Sequence, residues 1–289
     1  MTPKISVVIP AFNAERYIVE TLGGVKRQTV KPHEIIVVND ASRDSTVQVV
    51  KGFEVNAGLN IKVYSNERNR GIGFTRQHGA ELALGDYVAF LSSDDVWHPN
   101  FLEECLPYLD GEKAVFTDYY NCNEALQPFN IFVAPEPSRQ NILDWALKRN
   151  MFINFSCILL PKDVFGKIRF DEELRHWEDL IFLLDSVAAG VQWVHVPKPL
   201  LYYRVHGQQG TRKAKHNRDE FNLFWDALAG RLTALGIDQD TVLHHRNLNV
   251  INMFPDPFHK YLRKFRTGIR LVKKKIKAPY TTLEAQRQD

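Results

Sequence analysis

The stretch that decides the fold of this chain, residues 87–103, reads YVAFLSSDDVWHPNFLE. An apolar run with aromatic and β-branched residues ends in two serines followed by Asp94 and Asp95, and an amphipathic segment begins at Pro99. This pattern predicts a buried strand that ends in adjacent carboxylates. Such a pair is costly to bury without a cation, and Mg²⁺ typically binds one or two carboxylates together with substrate phosphates. The alternative is a polar turn or N-cap ahead of the next helix.

The composition is that of an ordinary globular protein. The chain has 289 residues, of which 44% are hydrophobic and 25% charged, and 37 basic and 34 acidic residues give a net charge of +3. This length can bury one large core, alone or with a helical appendage. The nearly balanced charge argues against a general polyanion binder. No apolar run approaches the roughly 18 residues that a membrane-spanning helix needs.

The cysteines and the start of the chain bear on its compartment. Cys105, Cys122 and Cys157 follow no disulfide or metal-binding spacing and lie in apolar surroundings. We therefore expect buried thiols in a reducing compartment. The apolar run at residues 5–9 is too short for a signal peptide and leads into Pro10. A cytoplasmic location is expected.

Strands and helices are predicted to alternate through the first half of the chain. Apolar runs indicate strands at residues 5–9, 34–38, 61–64 and 87–91, and helical periodicity is found at residues 15–28, 44–53 and 72–84. Strands that are apolar on both faces and separated by such helices predict a parallel sheet covered on both sides. Ligands of these sheets bind at the carboxyl ends of the strands. Two further strands are predicted at residues 191–196 and 200–205.

The expected crevice at the strand ends lacks the common phosphate-binding loops. The chain has no GxxxxGK[ST] sequence, and Gly-Ile-Gly at residues 71–73 lacks the third glycine of a dinucleotide turn. A P-loop enzyme or a dehydrogenase is therefore not expected. The chain instead offers Asp40, which could accept a nucleobase N–H, and Arg76, whose guanidinium could bind a phosphate. Alternatively, Asp40 caps the next helix, predicted at residues 44–53, and Arg76 is a solvated helix residue.

Four successive segments resemble the motifs of family 2 glycosyltransferases. They read ISVVIPAFNAERYIVETLGGVKRQT from residue 5, EIIVVNDASRDST from residue 34, NRGIGFTRQHGAELALGDYVAFLSSDD from residue 69 and LRHWEDLIFLL from residue 174. The resemblance covers about residues 4–206. It implies an α/β protein of the GT-A fold, with a mixed, mainly parallel central sheet flanked by helices and, here, a C-terminal helical extension. It also implies an inverting, metal-dependent enzyme that uses a nucleotide-sugar donor.

The resemblance assigns the donor nucleotide to residues in the first half of the chain. Pro10 and Phe12 would pack against the base, and Asp40 would bind a base N–H. Arg76 would contact the base–ribose or diphosphate region, and Asp94 the ribose or the metal ion. The expected donor is a UDP-sugar, a preference that rests on the resemblance alone.

The same resemblance assigns the metal ion and the catalytic base. Asp95 would ligate a Mg²⁺ or Mn²⁺ ion that bridges the donor diphosphate, and Asp179 would be the general base on the acceptor hydroxyl. His206, in a Tyr-Arg-Val-His element, is a further candidate metal ligand. Where the family often has Asp-Ala-Asp-Asp, this chain has Ser-Ser before Asp94 and Asp95, which leaves the division of roles between them open.

The acidic pair that contains Asp179 can be interpreted in two ways. An inverting transfer needs a base opposite the departing diphosphate, and burial beside Trp177 and Glu178 would raise the pKa of Asp179 to suit that role. Alternatively, Glu178 and Asp179 are the acidic first turn of a helix, where they favour its dipole. Both interpretations can hold together, with Glu178 the more structural of the two.

We expect a catalytic domain at residues 1–212, in which residues 1–98 bind the nucleotide sugar and residues 99–212 the acceptor. The remainder, residues 213–289, would be a helical extension with a basic amphipathic C-terminal helix.

That helix is predicted at residues 255–277. Apolar residues from Phe258 to Ile276 fall on one helical face and lysines and arginines occupy the rest, with no acid between Asp256 and Glu284. This pattern is typical of a helix in a membrane interface. We therefore expect an anionic membrane surface as a partner and a peripheral location on the inner face of the cell membrane. Alternatively the helix packs on the catalytic domain. Nucleic acid is not expected, because no recognised binding fold accompanies the charge.

The predicted activity is transfer of a sugar to a saccharide or lipid-linked glycan acceptor in cell-surface polysaccharide or lipopolysaccharide synthesis. One alternative is a nucleotidyltransferase that makes the activated sugar, although residues 10–13 are not the glycine-rich basic loop typical of such enzymes. Another is a catalytically inactive scaffold that binds sugar nucleotides. The presence of Asp95 and Asp179 argues against that alternative.

Overall fold

The computed structural model describes residues 2–57, 59–148, 153–209 and 218–253. Within these ranges nine strands form a single sheet. The strands are β1 (Ile5–Ala11), β2 (Glu34–Asn39), β3 (Ile61–Ser65), β4 (Tyr87–Phe90), β5 (Val96–Trp97), β6 (Ala114–Cys122), β7 (Pro128–Phe132), β8 (Ile158–Pro161) and β9 (Trp193–Arg204).

The helices flank this sheet. They are α1 (Ile18–Lys26), α2 (Thr46–Ala57), α3 (Ile72–Leu82), α4 (Phe101–Cys105), α5 (Arg139–Leu147), α6 (Val164–Lys167), α7 (Glu178–Ala188), α8 (Arg218–Ala234) and α9 (Gln239–Met253). None of the helices in the described ranges is both long and apolar enough to cross a membrane.

The first half of the sheet is parallel, as predicted. β1 pairs with β2 and with β4, and β2 pairs with β3, all in parallel. Every residue of β1, β2 and β4 is buried, which explains why these strands are nearly continuous apolar runs. Because the strands are parallel, their carboxyl ends lie at one edge of the sheet.

The second half of the sheet is mixed, which confirms the predicted fold class. The strand order is β3-β2-β1-β4-β8-β6-β9-β5, and β7 pairs with β6. β8 runs antiparallel to β4 and β6, whereas β9 runs parallel to β6. The prediction of two strands between residues 191 and 205 was wrong, because β9 is one strand. Its register with β6 shifts at Asp118, which pairs with Pro199, and such an irregularity is where a strand tolerates proline.

Two hydrophobic clusters line the sheet. Alternation along a strand sends neighbouring side chains to opposite faces, so Val8 belongs to one cluster and Val7 to the other. The first cluster includes side chains of α3, α5, α7 and α8, and the second includes side chains of α1, α2 and α4.

The C-terminal helices α8 and α9 complete the first cluster. Phe221, Phe224 and Trp225 of α8 are fully buried in it. The Phe224 ring lies 5.2 Å from that of Trp177, and Arg231 Nε donates to Asp185 of α7 at 2.7 Å. These helices therefore share a core with the sheet. The predicted boundary at residue 212 and the predicted basic helix at 255–277 lie outside the described residues.

Candidate active site

The turn after β1 is tied to the turn after β2. Pro10 is buried within β1, whereas the next aromatic side chain, Phe12, is 48% exposed. Asn13 has a positive φ of 50°; its backbone N–H donates to Ser42 Oγ at 2.9 Å, and its side-chain oxygen accepts from the Arg43 N–H at 2.9 Å. These bonds fix the turn that presents the exposed Phe12 ring at the carboxyl edge of the sheet, and its predicted contact with a nucleobase stays a prediction.

Asp40, just after β2, organises the loop that leads into α3. Its carboxylate accepts hydrogen bonds from Asn66 Nδ2 at 2.8 Å, from the Arg70 N–H at 2.8 Å and from the Gly71 N–H at 2.9 Å. A carboxylate has about four acceptor positions, so most of its capacity is taken. The predicted bond to a nucleobase stays a prediction. The alternative, a cap on the next helix, α2, does not describe these contacts, because the Thr46 N–H at the start of α2 donates to Asp44, whereas Asp40 binds the N–H groups that precede α3.

Asp94 and His206 meet at the end of β4. His206 Nε2 lies 2.9 Å from Asp94 Oδ2, and the Asp94 side chain is 25% exposed. The Gln208 N–H points to the other ring nitrogen, Nδ1, at 3.3 Å, and the ring of Tyr17 packs on the imidazole with 4.8 Å between centroids. This arrangement orients Nε2 of His206 towards the Asp94 carboxylate.

Asp95, by contrast, is turned into the protein. It is 1% exposed. One oxygen accepts from Ser156 Oγ at 2.6 Å and the other from the Arg204 N–H at 3.0 Å. Burial, and then the neighbouring charge of Asp94, raise the pKa of Asp95 well above its usual range. Both oxygens are therefore engaged in protein contacts, and the expectation that Asp95 ligates a metal stays a prediction.

Arg204 is a residue of this site that the sequence analysis did not single out. Its guanidinium donates to the carbonyl of Asp94 at 2.8 Å, to the carbonyl of Glu124 and to the carboxylate of Glu20 at 2.8 Å. It also lies over the Tyr17 ring, 4.6 Å from its centroid. Arg204 thus joins β9, α1 and the turn after β4. No local signal in the sequence indicates that this arginine is buried.

Asp179 lies in the first turn of α7, next to the buried Glu178. Its Oδ1 accepts from the Leu180 N–H at 2.8 Å. Burial raises the pKa of Asp179, and the charge of Arg76 opposes that shift. Arg76 itself is 5% exposed and pairs with Glu178 at 2.5 Å. The structure thus gives Arg76 a protein partner, and the predicted contact with the nucleotide stays a prediction.

The comparisons with known proteins bear on this arrangement. The sequence model described as Glycosyl transferase family 2 matches residues 6–169, which is more than half of the chain and includes Phe12, Asp40 and Asp94. The chain belongs to glycosyl transferase family 2. Enzymes of this family transfer sugars, so the nucleotidyltransferase and scaffold alternatives are not supported.

One curated relative and two solved structures illustrate the similarity. The amylovoran biosynthesis glycosyltransferase AmsB of Erwinia amylovora is 30% identical over 237 residues, 79% of this chain and 78% of AmsB. Residues 1–349 of TarS of S. aureus in complex with UDP have a TM-score of 0.64 and 22% identity, covering 90% of this chain and 74% of that TarS fragment. The mannosyltransferase PcManGT of Pyrobaculum calidifontis, in complex with GDP-Man and Mn²⁺, has a TM-score of 0.57 and 16% identity, covering 95% and 82% of the two chains.

These structural similarities support the GT-A fold of this family 2 glycosyltransferase. Within the part of the chain that the structure describes, no group of three or more histidine, cysteine, aspartate or glutamate side chains could hold a metal ion. The pair of Asp94 and His206 supplies two potential ligands. In GT-A enzymes a divalent ion would need the donor phosphates to complete its coordination, which is a common arrangement for Mg²⁺ sites.

Proposed function

We propose that this glycosyltransferase transfers a sugar, with inversion, from a UDP-sugar to a saccharide or lipid-linked glycan acceptor. The observation that carries the proposal is the pairing of Asp94 with His206 at 2.9 Å. It brings an oxygen and a nitrogen ligand from distant segments together beside the strand ends. An isolated turn or helix cap has no need of such a pair.

Asp94 and His206 would hold the divalent ion, and Asp95 would support them from within the protein. A carboxylate suits both Mg²⁺ and Mn²⁺, but an imidazole nitrogen favours Mn²⁺, because Mg²⁺ prefers oxygen ligands. The bound ion would stabilise the negative charge that develops on the departing diphosphate. The Mn²⁺ complex of PcManGT is consistent with this choice.

The donor nucleotide would lie at the carboxyl ends of β1 and β2. The exposed ring of Phe12 is suited to stack on a base, and Asp40 would shape the wall of the site through the loop it holds. The UDP complex of TarS supports uridine, although PcManGT binds a guanosine nucleotide. The preference for uridine can therefore be measured directly, by comparing the affinities of uridine and guanosine nucleotides.

Asp179 would act as the general base. As the acceptor oxygen forms a bond to the anomeric carbon, its proton passes to the Asp179 carboxylate, the bond from that carbon to the diphosphate breaks, and the nucleoside diphosphate leaves. The raised pKa of Asp179 increases its affinity for the proton and so suits this role.

The name of AmsB favours an acceptor in polysaccharide synthesis. Combined with the basic pattern of residues 255–277, it supports a peripheral enzyme on the cytoplasmic face of the membrane.

The test combines nucleotide binding with turnover. UDP binding is measured by calorimetry with and without Mn²⁺, and release of UDP is measured with a panel of UDP-sugars. Asp179→Asn should bind UDP as the native protein does but lose about 10²–10⁴-fold in turnover. Asp163→Asn is the matched control, because Asp163 is exposed and pairs only with Lys167 of α6 in the described part of the chain. The proposal would be contradicted if Asp179→Asn turned over at the native rate, or if UDP affinity were the same with and without Mn²⁺.

A further inference from the structure

A buried ion pair connects α3 to the start of α7. Arg76 Nη1 donates to Glu178 Oε1 at 2.5 Å, and the two side chains are only 6% and 5% exposed. These residues are 102 positions apart in the chain. Ion pairs of this kind contribute little net stability, because removing both charges from water costs about as much as their attraction returns. The pair therefore calls for a role other than stability.

The surroundings of the pair are apolar and closely packed. The Arg76 guanidinium lies 5.0 Å from the centroid of the Phe155 ring and 5.9 Å from that of Phe170. A Cβ atom on Gly73 would meet the Glu178 side chain at 3.4 Å and the Asp171 carbonyl at 3.0 Å. No hydrogen-bond partner is found for Arg76 Nε within the described residues. The guanidinium is thus confined next to Glu178.

Two carboxylic acids share this one guanidinium. Burial raises the pKa of Glu178, as does the charge of Asp179, while Arg76 lowers it. Burial also raises the pKa of Asp179, against Arg76 and more weakly His176. His176 in turn lies 3.5 Å from Glu220 of α8. A single cation compensates only one of two neighbouring carboxylates, so the pair titrates as a coupled unit.

Of the two acids, Glu178 is the one in direct contact with the Arg76 guanidinium. Arg76 bonds to Glu178, whereas Asp179 forms no ion pair with an arginine or lysine within the described residues. Were Glu178 absent, the same guanidinium would have Asp179 as its nearest carboxylate neighbour along the helix. An ion pair there would lower the basicity of the carboxylate and occupy it.

We propose that Glu178 and Arg76 are positioning residues, in which Glu178 engages the guanidinium so that the Asp179 carboxylate stays unpaired and basic for the acceptor hydroxyl. This inference rests on the proposed role of Asp179 as general base. Arg76 keeps the start of α7 against α3, and Glu178 limits how much of its charge reaches Asp179.

The test is the pH dependence of kcat/KM, whose acid limb reports the pKa of the base in the free enzyme. Glu178→Gln keeps the size of the side chain but removes its charge, so Arg76 acts on Asp179 alone and the limb should move to lower pH by about one unit or more. Arg76→Met removes the cation from both acids, so the limb should move to higher pH. Arg76→Lys retains the charge and should leave the limb nearer its native position.

Melting temperature and the far-UV circular dichroism spectrum show whether each variant is folded. If a variant is too unstable to assay, the pKa of Asp179 can be followed in the native protein by comparing its pH-dependent stability with that of Asp179→Asn. Opposite shifts for Glu178→Gln and Arg76→Met support the inference. The inference is overturned if turnover falls in every variant while the acid limb of the pH profile does not move. It is also overturned if the stability comparison gives Asp179 the pKa of an ordinary aspartate. Failure of the proposed function has a different result, because Asp179→Asn would then keep native turnover.

Discussion

His206 Nε2 lies 2.9 Å from Asp94 Oδ2, although 112 positions separate the two residues. The adjacent Asp95 points the other way, into contacts with Ser156 and the backbone of Arg204. Two carboxylates that look equivalent in the sequence therefore have different environments. One is partly exposed beside an imidazole, and the other is enclosed.

Alanine substitutions should separate these two roles. Asp94→Ala should lower Mn²⁺-dependent UDP affinity about tenfold or more while changing the free energy of unfolding by less than about 1 kcal/mol. Asp95→Ala leaves the Arg204 N–H without its acceptor and leaves Ser92 Oγ as the acceptor for the Ser156 hydroxyl, and should cost about 1–3 kcal/mol. Calorimetry and urea denaturation measure the two effects. If Asp95→Ala instead lost Mn²⁺-dependent UDP affinity and Asp94→Ala did not, Asp95 would be the metal ligand.

Asp40→Ala should loosen the loop that leads into α3. The substitution removes the acceptor of three hydrogen bonds, and hydrogen exchange at the Arg70 and Gly71 amides should become faster as UDP affinity falls. Asp110→Ala is the control, because Asp110 accepts bonds from the Glu112 and Lys113 amides in an exposed turn. Weaker UDP binding with unchanged exchange would instead indicate that Asp40 contacts the base directly.

Gly79→Ala should strain the contact between α3 and the sheet. A Cβ atom at Gly79 would lie 2.4 Å from Val8 Cγ1 and 3.1 Å from Val38 Cγ2, so α3 must move away from β1 and β2. We expect a loss of about 1–3 kcal/mol. Gly230→Ala in α8 has open space around the new methyl group and should gain up to about 1 kcal/mol from helix propensity. Equal effects in urea denaturation would contradict the packing described for α3.

The end of the chain can be tested by two truncations. A chain that ends at Met253 retains α8 and α9 and should keep its melting temperature and UDP release. It should lose sedimentation with vesicles that contain anionic lipid. In the untruncated chain added salt should weaken that binding, because each basic residue near the surface contributes about 1 kcal/mol through a charge interaction that salt screens.

A chain that ends at Asn217 is the contrasting case. It removes Phe221, Phe224 and Trp225 from the core and should aggregate or lose cooperative unfolding. If the chain ending at Met253 also melts much earlier, residues 255–277 belong to the core and the membrane proposal fails.

The sheet could be predicted because its signal is local. Strands that are buried on both faces must be apolar along their length, and β1, β2 and β4 are such runs. The second half was harder. The two parts of β9 on either side of Pro197 and Pro199 look like separate strands, and only their shared pairing with β6, which shifts register at Asp118, shows that they are one.

The sequence also showed which polar residues follow the strands, and that the segments containing them resemble the motifs of family 2 glycosyltransferases. What each side chain touches was not visible. Arg204 and Arg76 have the charge of any surface arginine, yet each is buried against an acid more than 100 positions away.

The sequence by itself determined the alternation of helices and strands, the family, and which polar residues follow β1, β2 and β4. The tertiary structure alone decided that Asp94 has His206 as its neighbour, that Asp95 is enclosed, and that Glu178 takes the guanidinium of Arg76. The reason is physical. Periodicity and turn chemistry act over a few residues, whereas hydrogen bonding, burial and charge depend on distances in space between segments that only the folded chain brings together.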